Sequence, residues 1–71
     1  MNRIGRLIEQ HRTERGQSRL EVAGILKVTQ QTVGNWERGH SRPQLATLPD
    51  IARLLGRPVE ELVALATQET T

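Results

Sequence analysis

Residues 28–39 read Val28-Thr29-Gln30-Gln31-Thr32-Val33-Gly34-Asn35-Trp36-Glu37-Arg38-Gly39, and this stretch decides the fold. Threonine is a residue type that opens helices, because its hydroxyl accepts a hydrogen bond from an otherwise unpaired N–H of the first turn. Val33 and Trp36 lie three apart and so share one helical face, which assigns them to a core, while Gln30, Gln31, Asn35 and Arg38 fall on the other faces. Gly39 supplies a left-handed stop, and Arg42-Pro43 cannot continue the helix.

Upstream, Ser18 with Glu21 three residues later is a capping box: the serine hydroxyl accepts from the third helical N–H and the glutamate reaches back. Val22, Ala23 and Leu26 form the inward side of this helix, which ends near Lys27. Only Lys27 and Val28 separate it from the helix capped by Thr29. Two helices joined so briefly must cross steeply, with Val28 buried at the joint, and that arrangement is a helix-turn-helix.

Working outward, a first helix is predicted from Asn2 or Arg3 to Arg15, with Ile4, Leu7, Ile8 and His11 in one stripe and Gly16 as its stop. Beyond the central pair, Thr47 is the predicted cap of a fourth helix, with Pro49 tolerated in its first turn and Asp50 favoured by the helix dipole. Leu48, Ile51, Ala52 and Leu55 form its apolar face until Gly56. Pro58 starts a last short helix, with Val59, Leu62, Val63 and Ala66 expected to face inward. The expected fold is all-α with five helices, residues 1–66 forming one domain and residues 67–71 a polar tail that frays.

Composition limits what such a domain does. A chain of 71 residues is of a size that buries only about 60% of its unfolded surface, so a large enclosed active-site cavity is not expected. Hydrophobic residues make up 35% of the chain with one Trp and no Phe or Tyr, leaving Leu, Ile, Val and Ala to fill the core. The absence of cysteine excludes disulfides, cysteine-based zinc fingers and thiol nucleophiles. There is no apolar run of membrane-spanning length and no signal-peptide pattern, so a soluble, cytoplasmic protein is expected. His11 and His40 stand far apart without a ligand motif, Glu60-Glu61 is ordinary surface charge, and neither a Gly-rich phosphate loop nor a Ser-His-acid set is present. No enzyme activity, metal or cofactor is expected.

Charge is distributed unevenly. Residues 1–42 carry eight basic side chains against four acidic, whereas residues 43–71 carry two basic against four acidic. A basic front half suits a phosphate-bearing partner, although a solvated charged face has the same composition. Shape adds to this: a helix ~10–12 Å across matches a DNA major groove ~12 Å wide. Gln30, Gln31 and, one turn on, Asn35 each offer a donor beside an acceptor, the pattern that pairs with adenine N6 and N7. Thr32 adds a hydroxyl or a methyl. Gly34 costs ~1 kcal/mol of helix propensity relative to alanine, and reads either as a mild defect or as room for close approach of DNA.

From Ile4 to Leu62 the chain resembles the phage-repressor and Cro-like (XRE-type) helix-turn-helix family, five-helix lambda-repressor-like domains that regulate transcription. The matching stretches are Gly16-Gln17-Ser18-Arg19-Leu20-Glu21-Val22-Ala23, the run from Val28 to Gly39, Arg42-Pro43, and Ile51-Ala52-Arg53-Leu54-Leu55-Gly56. The resemblance implies base reading by Gln30, Gln31, Thr32 and Asn35. It implies phosphate contacts from Arg19, Thr29, Arg38, His40, Ser41 and Arg42. It also implies a salt bridge between Arg12 and Glu37 that orients the recognition helix. Arg19 replaces a glutamine that in the family both touches phosphate and braces that helix. Lys27 replaces the usual turn glycine, Leu20 and Ile25 stand at usually polar positions, and Arg57 replaces an apolar residue before the last helix.

The expected function is therefore sequence-specific binding of double-stranded DNA as a transcriptional regulator, repression being the expected sign, by a weak or DNA-driven homodimer. A rival reading keeps the fold as a protein-interaction module, either a coactivator adaptor or an antitoxin-type partner. Leu20 and Ile25 are its only support, and slight repacking that buries them is the preferred alternative.

Overall fold

The computed structural model describes residues 3–69. Five α-helices follow one another: α1 (Arg3–Glu14), α2 (Arg19–Leu26), α3 (Gln30–Arg38), α4 (Leu48–Leu55) and α5 (Val59–Glu69), with a single 3-10 turn at Leu45–Thr47 and no strand among the described residues. The predicted start of α1 at Asn2 lies outside the described residues, as do Thr70 and Thr71.

Local chemistry accounts for the boundaries. Ser18 accepts from the Glu21 N–H at 3.0 Å while the Glu21 carboxylate accepts from the Ser18 N–H at 3.0 Å, so the capping box is complete. Thr29 is extended and accepts from the Thr32 N–H at 3.1 Å, which fixes the first turn of α3. Between them Lys27 closes α2 with φ 60° and ψ 41°, the left-handed region that favours glycine. Its side chain costs ~1–2 kcal/mol there. That cost is borne because the Val28 N–H then reaches Ala23 O at 3.0 Å and the chain turns directly into α3.

The C-terminal side departs from expectation at Thr47. Thr47 makes no side-chain cap: the 3-10 turn runs straight into α4, so Thr47 takes a helical conformation (φ −87°, ψ −18°) instead of the extended one a capping hydroxyl needs. The last helix runs past Ala66 to Glu69. Thr67 bonds back to Val63 O at 2.9 Å, and Gln68 Oε1 accepts from Arg3 Nη1 at 3.0 Å, which ties α5 to α1.

The core is formed by Ile4 and Ile8 of α1, Val22, Ala23 and Leu26 of α2, Val33 and Trp36 of α3, Leu48, Ile51 and Ala52 of α4, and Leu62 of α5. Helices α1 and α2 both pack against α3, and α4 and α5 close the other side. On α5 the inward set is Val59, Leu62, Leu65 and Ala66, and Val63 is turned to solvent. Leu20 and Ile25 are not repacked: they are 64% and 53% exposed. Arg57 stays at the surface, ion-paired with Glu61 one turn into α5.

Candidate nucleic-acid interface

Helix α3 is held by its Val33–Trp36 face, and its remaining faces carry the polar residues singled out above. Gln30 and Gln31, directly after the Thr29 cap, are exposed and take part in no side-chain hydrogen bond among the described residues. Each keeps a full donor–acceptor pair for a partner. The Thr29 hydroxyl, besides capping, lies 2.7 Å from that of Thr32, so one of the two donates to the other and the second keeps its O–H for a partner.

Asn35, one turn on, is different. It is half-buried, and its Oδ1 accepts from Arg38 Nη2 at 3.0 Å. Gly34, beside it, is buried beneath two guanidinium groups. A Cβ at that position would lie 3.1 Å from Arg38 Nη1, 3.4 Å from Arg38 Nη2 and 3.5 Å from Arg19 Nη1. Only the Arg38 guanidinium would be crowded by that Cβ, since 3.5 Å to Arg19 is an ordinary contact. Neither the convergence on Gly34 nor the Asn35–Arg38 bond was read from the sequence. The second was accessible, since residues three apart on a helix are surface neighbours.

Behind this surface sits an ion-pair triad. The Glu37 carboxylate accepts from Arg12 Nε at 2.8 Å and Nη2 at 3.1 Å, and from Arg19 Nε at 2.9 Å. The Glu37 side chain is 0% exposed, that of Arg12 15% and that of Arg19 34%. Burial pushes the Glu37 carboxyl up, but the hydrogen bonds from Arg12 and Arg19 outweigh it, and the group is held below the ordinary carboxylate range. The bond to Glu37 in turn raises the Arg12 guanidinium. Helices α1, α2 and α3 are therefore clamped at one buried carboxylate. Arg19 braces α3 in the way its charge suits, by binding Glu37, while the rest of its guanidinium stays at the surface over Gly34.

The segment after α3 folds back onto it. His40 N–H and Ser41 N–H both reach Asn35 O, at 2.9 and 3.4 Å, and the left-handed Gly39 (φ 78°) makes that reversal possible. A shallow depression lined by Val28, Thr32, Trp36, Ser41 and Arg42 joins this loop to the flank of α3. Of the predicted phosphate ligands, Arg19 opens α2, Thr29 caps α3, Arg38 ends α3, and His40, Ser41 and Arg42 follow in the loop after it. His11 lies elsewhere, beside Leu55 and Arg57 between α1 and α4. Among the described residues no group of three or more His, Cys, Asp or Glu is placed to hold a metal ion, and no helix is long and apolar enough to cross a membrane.

The helix-turn-helix family model matches residues 8–62. An uncharacterized HTH-type transcriptional regulator of Methanothermobacter thermautotrophicus is 40% identical over 60 residues, covering 83% of this chain and 87% of the relative. The SPbeta prophage-derived uncharacterized HTH-type transcriptional regulator YonR of Bacillus subtilis is 35% identical over 53 residues, covering 75% of this chain and 49% of the relative. The chain thus spans about half the length of the Bacillus relative. No solved structure gives a significant match.

Proposed function

The chain belongs to the helix-turn-helix family of transcriptional regulators, XRE-type, and from that premise we propose that it is a sequence-specific double-stranded-DNA-binding repressor that reads the major groove with α3. One observation carries the proposal: Gln30 and Gln31 are exposed, side by side, on the first turn of a helix whose opposite face is buried. Two carboxamides with free donors and acceptors suit adenine edges. Thr32 and Asn35 extend the reading along the helix. Arg19, Arg38 and Arg42, with Thr29, His40 and Ser41, grip the flanking phosphates, and beside Thr29 the N-terminal dipole of α3 adds attraction. The Arg12–Glu37 pair sets the angle at which α3 enters. Acting in the cytoplasm, the protein binds as a weak or DNA-driven homodimer on half-sites ~34–36 Å apart.

Two measurements test this. Three arginines at phosphates give a fall of log K with log salt at a slope of about −2.7 per domain, and Arg42→Ala makes it shallower by about 0.9. Selection of bound duplexes from a random pool is expected to return a near-palindromic site. A protein-interaction role is favoured by the exposure of apolar side chains, Leu20 and Ile25 on α2 among them. That reading replaces DNA binding if no affinity for duplex is measurable at low salt.

A further inference from the structure

We propose that Arg38 is a specificity-determining residue that acts through Asn35: by holding the Asn35 carbonyl it sets guanidinium donors beside that oxygen, and so turns this position toward guanine rather than adenine. The inference rests on the reading of α3 as the recognition helix and names the base class for one of its positions.

A free asparagine carboxamide presents an acceptor beside a donor, which fits adenine, whose groove edge has the N7 acceptor and the N6–H₂ donor. In this chain Asn35 Oδ1 already accepts from Arg38 Nη2 at 3.0 Å. The oxygen keeps a second lone pair, but an adenine N6–H₂ approaching it would also meet the guanidinium N–H groups, donor against donor. Guanine presents two acceptors, N7 and O6, and meets no such conflict. Gln30 and Gln31 carry no comparable tether among the described residues, so the three amide side chains of α3 are not equivalent readers.

The tether is built into the helix. Arg38 follows Asn35 by three residues, and its guanidinium lies close over Gly34, where a Cβ would come to 3.1 Å from Nη1 and press it by a few tenths of an ångström. On the other side Arg19 Nη1 stands 3.5 Å from the same point, and Arg19 is itself fixed by its bond to Glu37. A like charge held there disfavours retreat of the Arg38 guanidinium across Gly34, away from Asn35.

The test is selection from a random duplex pool with the wild-type chain, Asn35→Ala and Arg38→Met, followed by relative affinities on the four duplexes that differ at one position. Asn35→Ala identifies that position as the one it relaxes. The wild type is expected to favour guanine over adenine there by about fivefold or more, and Arg38→Met to lose that ratio while the preferences read by Gln30 and Gln31 stay unchanged. Because ratios are compared within one variant, the general loss of affinity on removing a cation cancels. Adenine preferred by the wild type, an unchanged ratio in Arg38→Met, or no position relaxed by Asn35→Ala would each overturn the inference and leave the DNA-binding reading standing. A pool that yields no preferred sequence at all would overturn that reading, and the inference with it.

Discussion

Truncating Glu37 to alanine removes the carboxylate on which three helices converge. Three charge-assisted hydrogen bonds end on it, two from Arg12 and one from Arg19. Their loss is not a simple sum. Arg19 is 34% exposed and its guanidinium can return to water, so its share is about 1 kcal/mol or less. Arg12 is 15% exposed and stays largely covered without a counter-charge. Removing one partner of a fully buried pair costs about 3–5 kcal/mol, and the residual exposure of Arg12 brings the expected loss to about 2–4 kcal/mol. At a urea m-value near 1 kcal/mol/M, the midpoint falls by about 2 M or more with the slope unchanged. The ordering expected from urea melts is Glu37→Ala worst, then Arg12→Ala, then Arg19→Ala. The sign with pH follows from the lowered carboxyl. The stabilisation is complete above the ordinary carboxylate range and is lost only as pH falls through the depressed folded value. Wild type and Glu37→Gln should therefore differ at neutral pH and converge in strong acid. A Glu37→Ala loss below about 0.5 kcal/mol, no more than an ordinary surface substitution, would refute the reasoning, as would Arg19→Ala costing more than Arg12→Ala.

Gln30→Ala or Gln31→Ala is expected to cost about 1–3 kcal/mol on a selected site and little on random duplex, measured by fluorescence anisotropy. Gly24, exposed in α2 with nothing within 4 Å of an added Cβ, is a place where alanine helps: Gly24→Ala should stabilise by about 0.5–1 kcal/mol in urea melts. Lys27→Gly relieves the left-handed strain at φ 60°. A gain of up to about 1 kcal/mol is expected, less the added flexibility of the unfolded chain.

The elements legible in the sequence were those with local causes. Ser18 and Glu21, Thr29, Gly39, and the spacing of Val33 and Trp36 act within a turn of the chain, and the capping bonds and the core agree with them. What local rules could not supply depended on how α1, α2 and α3 meet. Arg19 shows this best. Its type announces a phosphate ligand, and nothing nearby in sequence announces that a carboxylate eighteen positions on would take its Nε. Gly34 is similar, because its purpose appears only once two arginine side chains from different helices lie over it. Thr47 failed because a capping residue must be extended, and Thr47 is the last residue of a 3-10 turn with helical angles. Leu20 and Ile25 had apolar character and no inward register, and in the fold they face solvent.

The chain has no cysteine, so Gln31→Cys places a unique thiol at the outward turn of α3. Offered a duplex with a thiol tether on pyrimidine C5, which opens into the major groove, and one with the same tether on guanine N2, which opens into the minor groove, this variant should form a disulfide with the first and not the second. Ala64→Cys, on the exposed side of α5, should trap neither. Equal trapping by both tethers, or trapping through the minor groove alone, would contradict the placement of α3 between the phosphate walls of the major groove.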